Sequence, residues 1–230
     1  MSLQVKICGI TKRDQAIAIE HSGASAIGFI CVPGTPRYLD AYNIRAITDQ
    51  LSIDRVGVFL DASIDTIRET VTIANLNVVQ LHGNESPEFC QQLRALNIKL
   101  IKALRIRSQT DLEQSIDYQP HVDVLLLDAY HPEQAGGTGL TIDWTMLKEF
   151  RPTCDWWLAG GLNPNNVTDA LRLVKPNGID LSSGLENAPG DKNLERVAEL
   201  FAKIEHHQST SVTTPLAPNS IPGRTSNEAN

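Results

Sequence analysis

The feature that most constrains this chain is an even alternation of short apolar runs with longer stretches of helical period. The runs fall at 3–8, 26–30, 55–60, 77–81, 99–104, 122–127, 156–159 and 178–181. Each is rich in Val, Ile or Leu, as expected of strands covered on both faces. Between them, residues 63–74 set Ile64, Ile67, Val71 and Ala74 at helical spacing. Residues 12–22 carry Ala16, Ile17 and Ile19. The stretch 86–96 opens on Ser86-Pro87-Glu88, an N-cap followed by proline at the first helical position, and 164–174 opens on Asn163-Pro164 in the same way. A last helical stretch covers 191–204.

Alternating strand–helix units imply a parallel sheet. Eight units over residues 3–205 come to ~26 residues each, at the lower size limit of a (β/α)8 barrel. The competing arrangement is an open doubly wound sheet. Its GxGxxG fingerprint is absent after the first strand, and eight strands suit closure better than five or six. We therefore expect an α/β fold, a single-domain (β/α)8 TIM barrel over 1–205, followed by a disordered tail over 206–230. That tail is rich in Ser, Thr, Pro and Asn and holds only Arg224 and Glu228 as charges. It lacks the apolar surface needed to offset its ordering entropy.

The net charge of −7 argues against a nucleic-acid surface, so an anionic ligand must be held by local features. The four cysteines, Cys8, Cys31, Cys90 and Cys154, form no CxxC pair and no disulfide framework. No apolar run approaches the ~20 residues that span a bilayer, and no signal-peptide pattern opens the chain. The expectation is a cytoplasmic protein with a small-molecule substrate and no metal, nucleic-acid or membrane partner; monomer and homodimer are left open.

Barrel enzymes build their sites at the C-terminal ends of the strands. Those ends carry Cys8, Arg37, Asp61, His82, Asp128, Gly160-Gly161 and the segment from Asp180 to Gly184. Strand parity puts Lys6 on the face of Cys8, where a cation would lower the thiol pKa towards neutrality. Equally, Cys8 is an ordinary small buried residue if Lys6 is anchored by a carboxylate such as Asp180. Asp128 closes an apolar strand, where lost hydration favours the protonated form and suits a general acid; the alternative is a helix cap or loop anchor. Gly136-Gly-Thr-Gly139, Ala159-Gly-Gly161 and Ser182-Ser-Gly184 are loops that let backbone N–H groups approach a phosphate. Arg37, in a proline-flanked loop, matches a carboxylate through two parallel hydrogen bonds. His82 fits a proton shuttle and a structural histidine equally well.

Taken in order, Lys6-Ile-Cys-Gly9, Gly23-Ala-Ser-Ala-Ile-Gly-Phe29, Pro36-Arg-Tyr38, Val56-Gly-Val-Phe59, Val79-Gln-Leu-His-Gly83, Gly136-Gly-Thr-Gly139, Leu158-Ala-Gly-Gly-Leu162 and Asp180-Leu-Ser-Ser-Gly-Leu-Glu186 resemble the phosphoribosylanthranilate isomerase family over about residues 3–205. The resemblance implies a cofactor-free Amadori rearrangement in tryptophan biosynthesis, from N-(5-phosphoribosyl)anthranilate to 1-(o-carboxyphenylamino)-1-deoxyribulose 5-phosphate. It implies Asp128 as general acid and Cys8 as general base. Arg37 would bind the anthranilate carboxylate, Asp180 would shape the pocket around the aminosugar, and Gly160, Gly161, Ser183 and Gly184 would hold the phosphate. The loop before Pro36 departs from the family, which more often has Ser there. Two relatives of the same fold fit less well. A histidine-pathway isomerase would end its first strand on Asp, where this chain has Cys8. An indole-glycerol-phosphate synthase would need a Lys–Glu pair at strand ends. An inactive scaffold barrel is argued against by the presence of acid, base and anion sites together.

Overall fold

The computed structural model describes residues 3–129 and 144–212. Eight parallel strands close into a barrel in sequence order: β1 (Gln4–Cys8), β2 (Ala26–Ile30), β3 (Asp54–Phe59), β4 (Val78–Leu81), β5 (Lys99–Ile106), β6 (Val124–Ala129), β7 (Asp155–Ala159) and β8 (Gly178–Leu181). The helices are α1 (Arg13–His21), α2 (Ala41–Thr48), α3 (Ile64–Ala74), α4 (Pro87–Leu93), α5 (Gln109–Gln114), α6 (Val167–Leu173) and α7 (Leu194–Val212). Helices α2 to α5 start on the side-chain caps that their sequences offer. Asp40, Ser63, Ser86 and Ser108 each accept from the backbone N–H three residues on, and Pro87 follows Ser86 at the first helical position.

Period-two alternation sorts each strand between two cores. One face packs outward under the helices: Ile7, Ile27, Val79, Leu81, Leu100, Leu125, Leu127, Leu158 and Ile179. The other fills the barrel: Ala26, Val56, Val78, Ile101, Ala103, Val124, Leu126, Trp157 and Ala159. Trp157 is the largest of these, and its register partner Gly178 leaves room for the indole. Because Cys8, Asp128 and Asp180 continue the inward parity towards the C-terminal ends of their strands, all three face the same mouth.

Three local expectations change. Asn163-Pro164 does not open a helix; α6 starts at Val167. Asn163 N–H donates to Asn166 Oδ1 and Asn165 N–H to Asn163 Oδ1, so side chains hold the segment as a turn. The last helix starts at Leu194, because 191–192 pair as β10 (Asp191–Lys192) with β9 (Glu186–Ala188) in a small antiparallel hairpin. Asn193 caps that helix by accepting from Arg196 N–H. Finally, α7 runs on to Val212, seven residues into the segment assigned to the tail, while 213–230 lie outside the described residues, as does Gly136-Gly-Thr-Gly139. Among the described residues no helix is long and apolar enough to cross a membrane.

Gly178→Ala tests the filled interior. A Cβ there would stand 2.7 Å from the Trp157 indole nitrogen. The substitution is expected to cost about 1–3 kcal/mol in urea unfolding, and an unchanged midpoint would show that the indole is loosely seated.

Candidate active site

The seam between β1 and β8 organises one side of the mouth. The register pairs Lys6 with Asp180, and Lys6 Nζ donates to Asp180 Oδ2 at 2.7 Å, with both side chains buried. The other carboxylate oxygen, Oδ1, is buried and has no partner. Cys8 stands one inward position above Lys6, against Gly28. A Cβ on that glycine would be 2.6 Å from the Cys8 sulfur and 3.0 Å from Lys6 Cε, so only glycine admits the pair.

The electrostatics correct one expectation. Burial pushes the Cys8 thiol above its ordinary pKa, and Lys6 pulls it back only in part. The reason is that Lys6 already faces Asp180, whose charge acts on the thiol in the opposite sense. Burial also works against the charge on Lys6, but Asp180 and then Cys8 outweigh it and raise the lysine pKa. Asp180 is itself lifted by burial, with Lys6 opposing.

On β6, Asp128 projects inward and its side chain is 27% exposed. It does not sit in an apolar surround, because His82 Nε2 lies 3.2 Å from its Oδ2. The other imidazole nitrogen faces the amide of Gln80 at 3.1 Å, leaving the buried Gln80 Oε1 unpartnered. Thus His82, left open between two roles by its sequence position, is the neighbour of the carboxyl. Its loop is fixed from behind by the buried Lys102–Glu85 pair at 2.8 Å, with Lys102 also donating to the Gly83 carbonyl and Glu85 accepting from Gly83 and Asp61 N–H groups. Arg105, beside Asp128 in register and on the parity of Ile101 and Ala103, is exposed at the rim.

Arg37 reaches the mouth from the loop between β2 and α2 and lies across Gly9. That residue has φ +78°, and a Cβ on it would meet Arg37 Cδ at 2.6 Å. The guanidinium donates through Nε to Glu186 Oε1 at 2.9 Å and through Nη2 to Oε2 at 2.5 Å. Glu186 Oε1 also accepts from Lys192 Nζ at 2.7 Å and from Gly190 N–H at 3.2 Å. Glu186 and Lys192 were missed as site residues. Glu186 closes one of the motifs that carry the resemblance but was given no role, and nothing in the chain marks the hairpin that turns Lys192 back onto it.

The expected phosphate residues lie together. Gly160 and Gly161 both have positive φ at the end of β7. A Cβ on Gly184 would stand 2.1 Å from the Leu162 carbonyl oxygen, so the loops after β7 and β8 are in contact through a bare backbone. Ser183 opens a 3-10 turn, Ser183–Leu185, directly after β8. Asn163 and Asn166 amides both donate to the Gly161 carbonyl, which turns that oxygen inward to the loop.

The thiol electrostatics are testable by iodoacetamide alkylation at each cysteine, followed by peptide mass spectrometry across pH. Cys8 is expected to titrate above the ordinary thiol value, as is Cys31, which burial pushes up to about 12. Asp180→Asn removes a negative neighbour and frees Lys6 to act on the thiol, so the Cys8 midpoint should fall; Lys6→Met should raise it. A midpoint in the parent protein at or below the ordinary value would contradict this electrostatic picture.

Comparisons with known proteins bear on the fold and the family. The family model for N-(5'phosphoribosyl)anthranilate (PRA) isomerase matches residues 5–203. The N-(5'-phosphoribosyl)anthranilate isomerase of Nostoc punctiforme is 54% identical over 206 residues, covering 88% of this chain and 98% of that one. The crystal structure of the phosphoribosyl anthranilate isomerase of Thermotoga maritima superposes with a TM-score of 0.83 at 35% identity, covering 89% of this chain and 100% of that one. A further isomerase structure is a complex with reduced 1-(o-carboxyphenylamino)-1-deoxyribulose 5-phosphate, with a TM-score of 0.78, 33% identity and the same coverage. With the matching barrel, the family model over residues 5–203 and a relative 54% identical, the chain belongs to the N-(5'-phosphoribosyl)anthranilate isomerase family.

Proposed function

We infer that this protein isomerises N-(5'-phosphoribosyl)anthranilate to 1-(o-carboxyphenylamino)-1-deoxyribulose 5-phosphate, a step of tryptophan biosynthesis. The family membership carries the reaction. The observation that carries the residue roles is the convergence of Cys8 and Asp128 on one mouth from β1 and β6. Four free thiols support a cytoplasmic location.

The substrate is a pentose with a phosphate at one end and an aryl carboxylate at the other, so it needs two anion sites with acid and base between them. The phosphate goes to the backbone at Gly160, Gly161, Ser183 and Gly184, where N–H groups approach without side chains in the way. Asp128 gives its proton to the ring oxygen as the bond from that oxygen to C1′ breaks, leaving an iminium between C1′ and the aryl nitrogen. Cys8, as thiolate, takes the proton from C2′, and the electron pair forms the C1′–C2′ double bond while neutralising the iminium. The enolamine then gains a proton at C1′ and loses one from the 2′-oxygen, giving the ketone.

Each step uses a feature already described. The iminium develops beside a thiol that burial holds protonated in the free protein, so the substrate's own positive charge favours the thiolate when it is needed. His82, part exposed and bonded to Asp128, connects the acid to solvent for reprotonation. The unpartnered Asp180 Oδ1 is an acceptor awaiting a sugar hydroxyl. Arg37 reads the aryl carboxylate.

Cys8→Ser and Asp128→Asn are each expected to lower kcat by ~10²–10⁴ with much smaller changes in KM, measured by the loss of anthranilate-substrate fluorescence. Near-normal turnover in either variant would remove the role given to that residue. Arg37→Ala should raise KM about tenfold and leave kcat close to the parent; with KM unchanged, the carboxylate would have to be read elsewhere on the mouth, with Arg105 the cation positioned to do it.

A further inference from the structure

We propose that Glu186 and Lys192 are the seat of the carboxylate site: Glu186 fixes one edge of Arg37, Lys192 cancels the charge of Glu186, and the opposite edge of Arg37 is presented to the aryl carboxylate. This rests on the reading of Arg37 given above and concerns how that side chain is held.

A guanidinium has five N–H groups on two forked edges. Glu186 takes one edge, through Nε at 2.9 Å and Nη2 at 2.5 Å. Among the described residues Nη1 donates to nothing, so the end-on edge of Nη1 and Nη2 remains open for a second bidentate carboxylate. Arg37 itself stands on a loop, and fixing a side chain with so many rotamers costs entropy. Holding it before the substrate arrives removes that cost from binding.

An Arg–Glu pair alone would be a poor anion site, because its net charge is zero and the incoming carboxylate would face another across the guanidinium. Lys192 changes this. Its Nζ lies 2.7 Å from Glu186 Oε1, and it is fully buried. Two cations then share one carboxylate, and the cluster keeps one positive charge. Lys192 Nζ also donates to the Ser182 carbonyl, which ties the seat to the loop after β8.

The backbone of the seat is tied to the barrel on both sides. Buried Gln15 of α1 donates to the Lys192 carbonyl and accepts from the Lys192 N–H, and Thr11 donates to the Gly190 carbonyl at 2.6 Å. The hairpin of β9 and β10 therefore acts as a bracket between α1 and Arg37. Glu186 and Lys192 are positioning residues in this account, since neither is placed against the substrate.

Calorimetric binding of two probes tests it: reduced 1-(o-carboxyphenylamino)-1-deoxyribulose 5-phosphate, and its phenylamino counterpart without the carboxylate. Arg37→Ala should weaken only the carboxylated probe; if it weakens neither, the reading of Arg37 fails and the seat has nothing to position. Given that loss, Glu186→Gln should weaken the carboxylated probe about tenfold and the other less than about twofold. Added to Arg37→Ala, Glu186→Gln should cost no more than Arg37→Ala alone. Lys192→Met should also weaken the carboxylated probe selectively. Equal losses on both probes would mean that the hairpin is merely structural, and no loss with Glu186→Gln while Arg37→Ala is impaired would mean that Arg37 needs no seat; either result overturns the proposal.

Discussion

The buried ion pair of Lys6 and Asp180 is the constraint on which the rest of this structure depends. It joins the first and last strands in register, so the closure of the barrel and the placement of Cys8 are one event. Two charges taken out of water are costly, and leaving one of them alone in the interior costs about 3–5 kcal/mol. A slipped register would do that to both. The pair also sets the chemistry, because Lys6 is shared between a carboxylate and a thiol and cannot serve the thiol fully. In the proposed mechanism the base is thus kept in reserve as a thiol until the substrate changes the local charge.

The molecule carries an excess of negative charge yet takes a substrate with two anionic ends. The resolution is local. Around Cys8, the cations Lys6, Arg37 and Lys192 face the carboxylates Asp180 and Glu186, leaving one positive charge in the cluster. At the proposed phosphate loops, glycines bring backbone into reach without any formal charge. Asp128, the acid in the proposed mechanism, is bonded to a part-exposed imidazole, whereas Cys8, the proposed base, is buried.

Much of the architecture is legible in the chain because strands and helices obey short periods. The runs 26–30 and 178–181 coincide with β2 and β8, and the Ser86-Pro87 start is where α4 begins. What the pattern misses is set by single side chains acting across the fold. Asn163 and Asn166 delay α6 by bonding to one another, and the hairpin of β9 and β10 has too few residues to show a period. The site divides in the same way. Cys8, Asp128 and Asp180 can be placed by strand parity, whereas Glu186 and Lys192 become visible only when distant loops meet. Burial lifts the Cys8 thiol, and Asp180, some 170 residues away in the chain, adds to that against Lys6, so reading Lys6 with Cys8 alone gives the wrong direction for the thiol.

The central claim is that a sulfur on β1 and a carboxyl on β6 bracket one pentose. The most direct test is a crystal structure of this protein with the reduced carboxyphenylamino-deoxyribulose phosphate bound. The account predicts the Cys8 sulfur within about 3.5 Å of C2′, and Asp128 in hydrogen-bond reach of the oxygen derived from the ring. A pentose that leaves either group out of reach, or puts both on one side of the sugar, would contradict it.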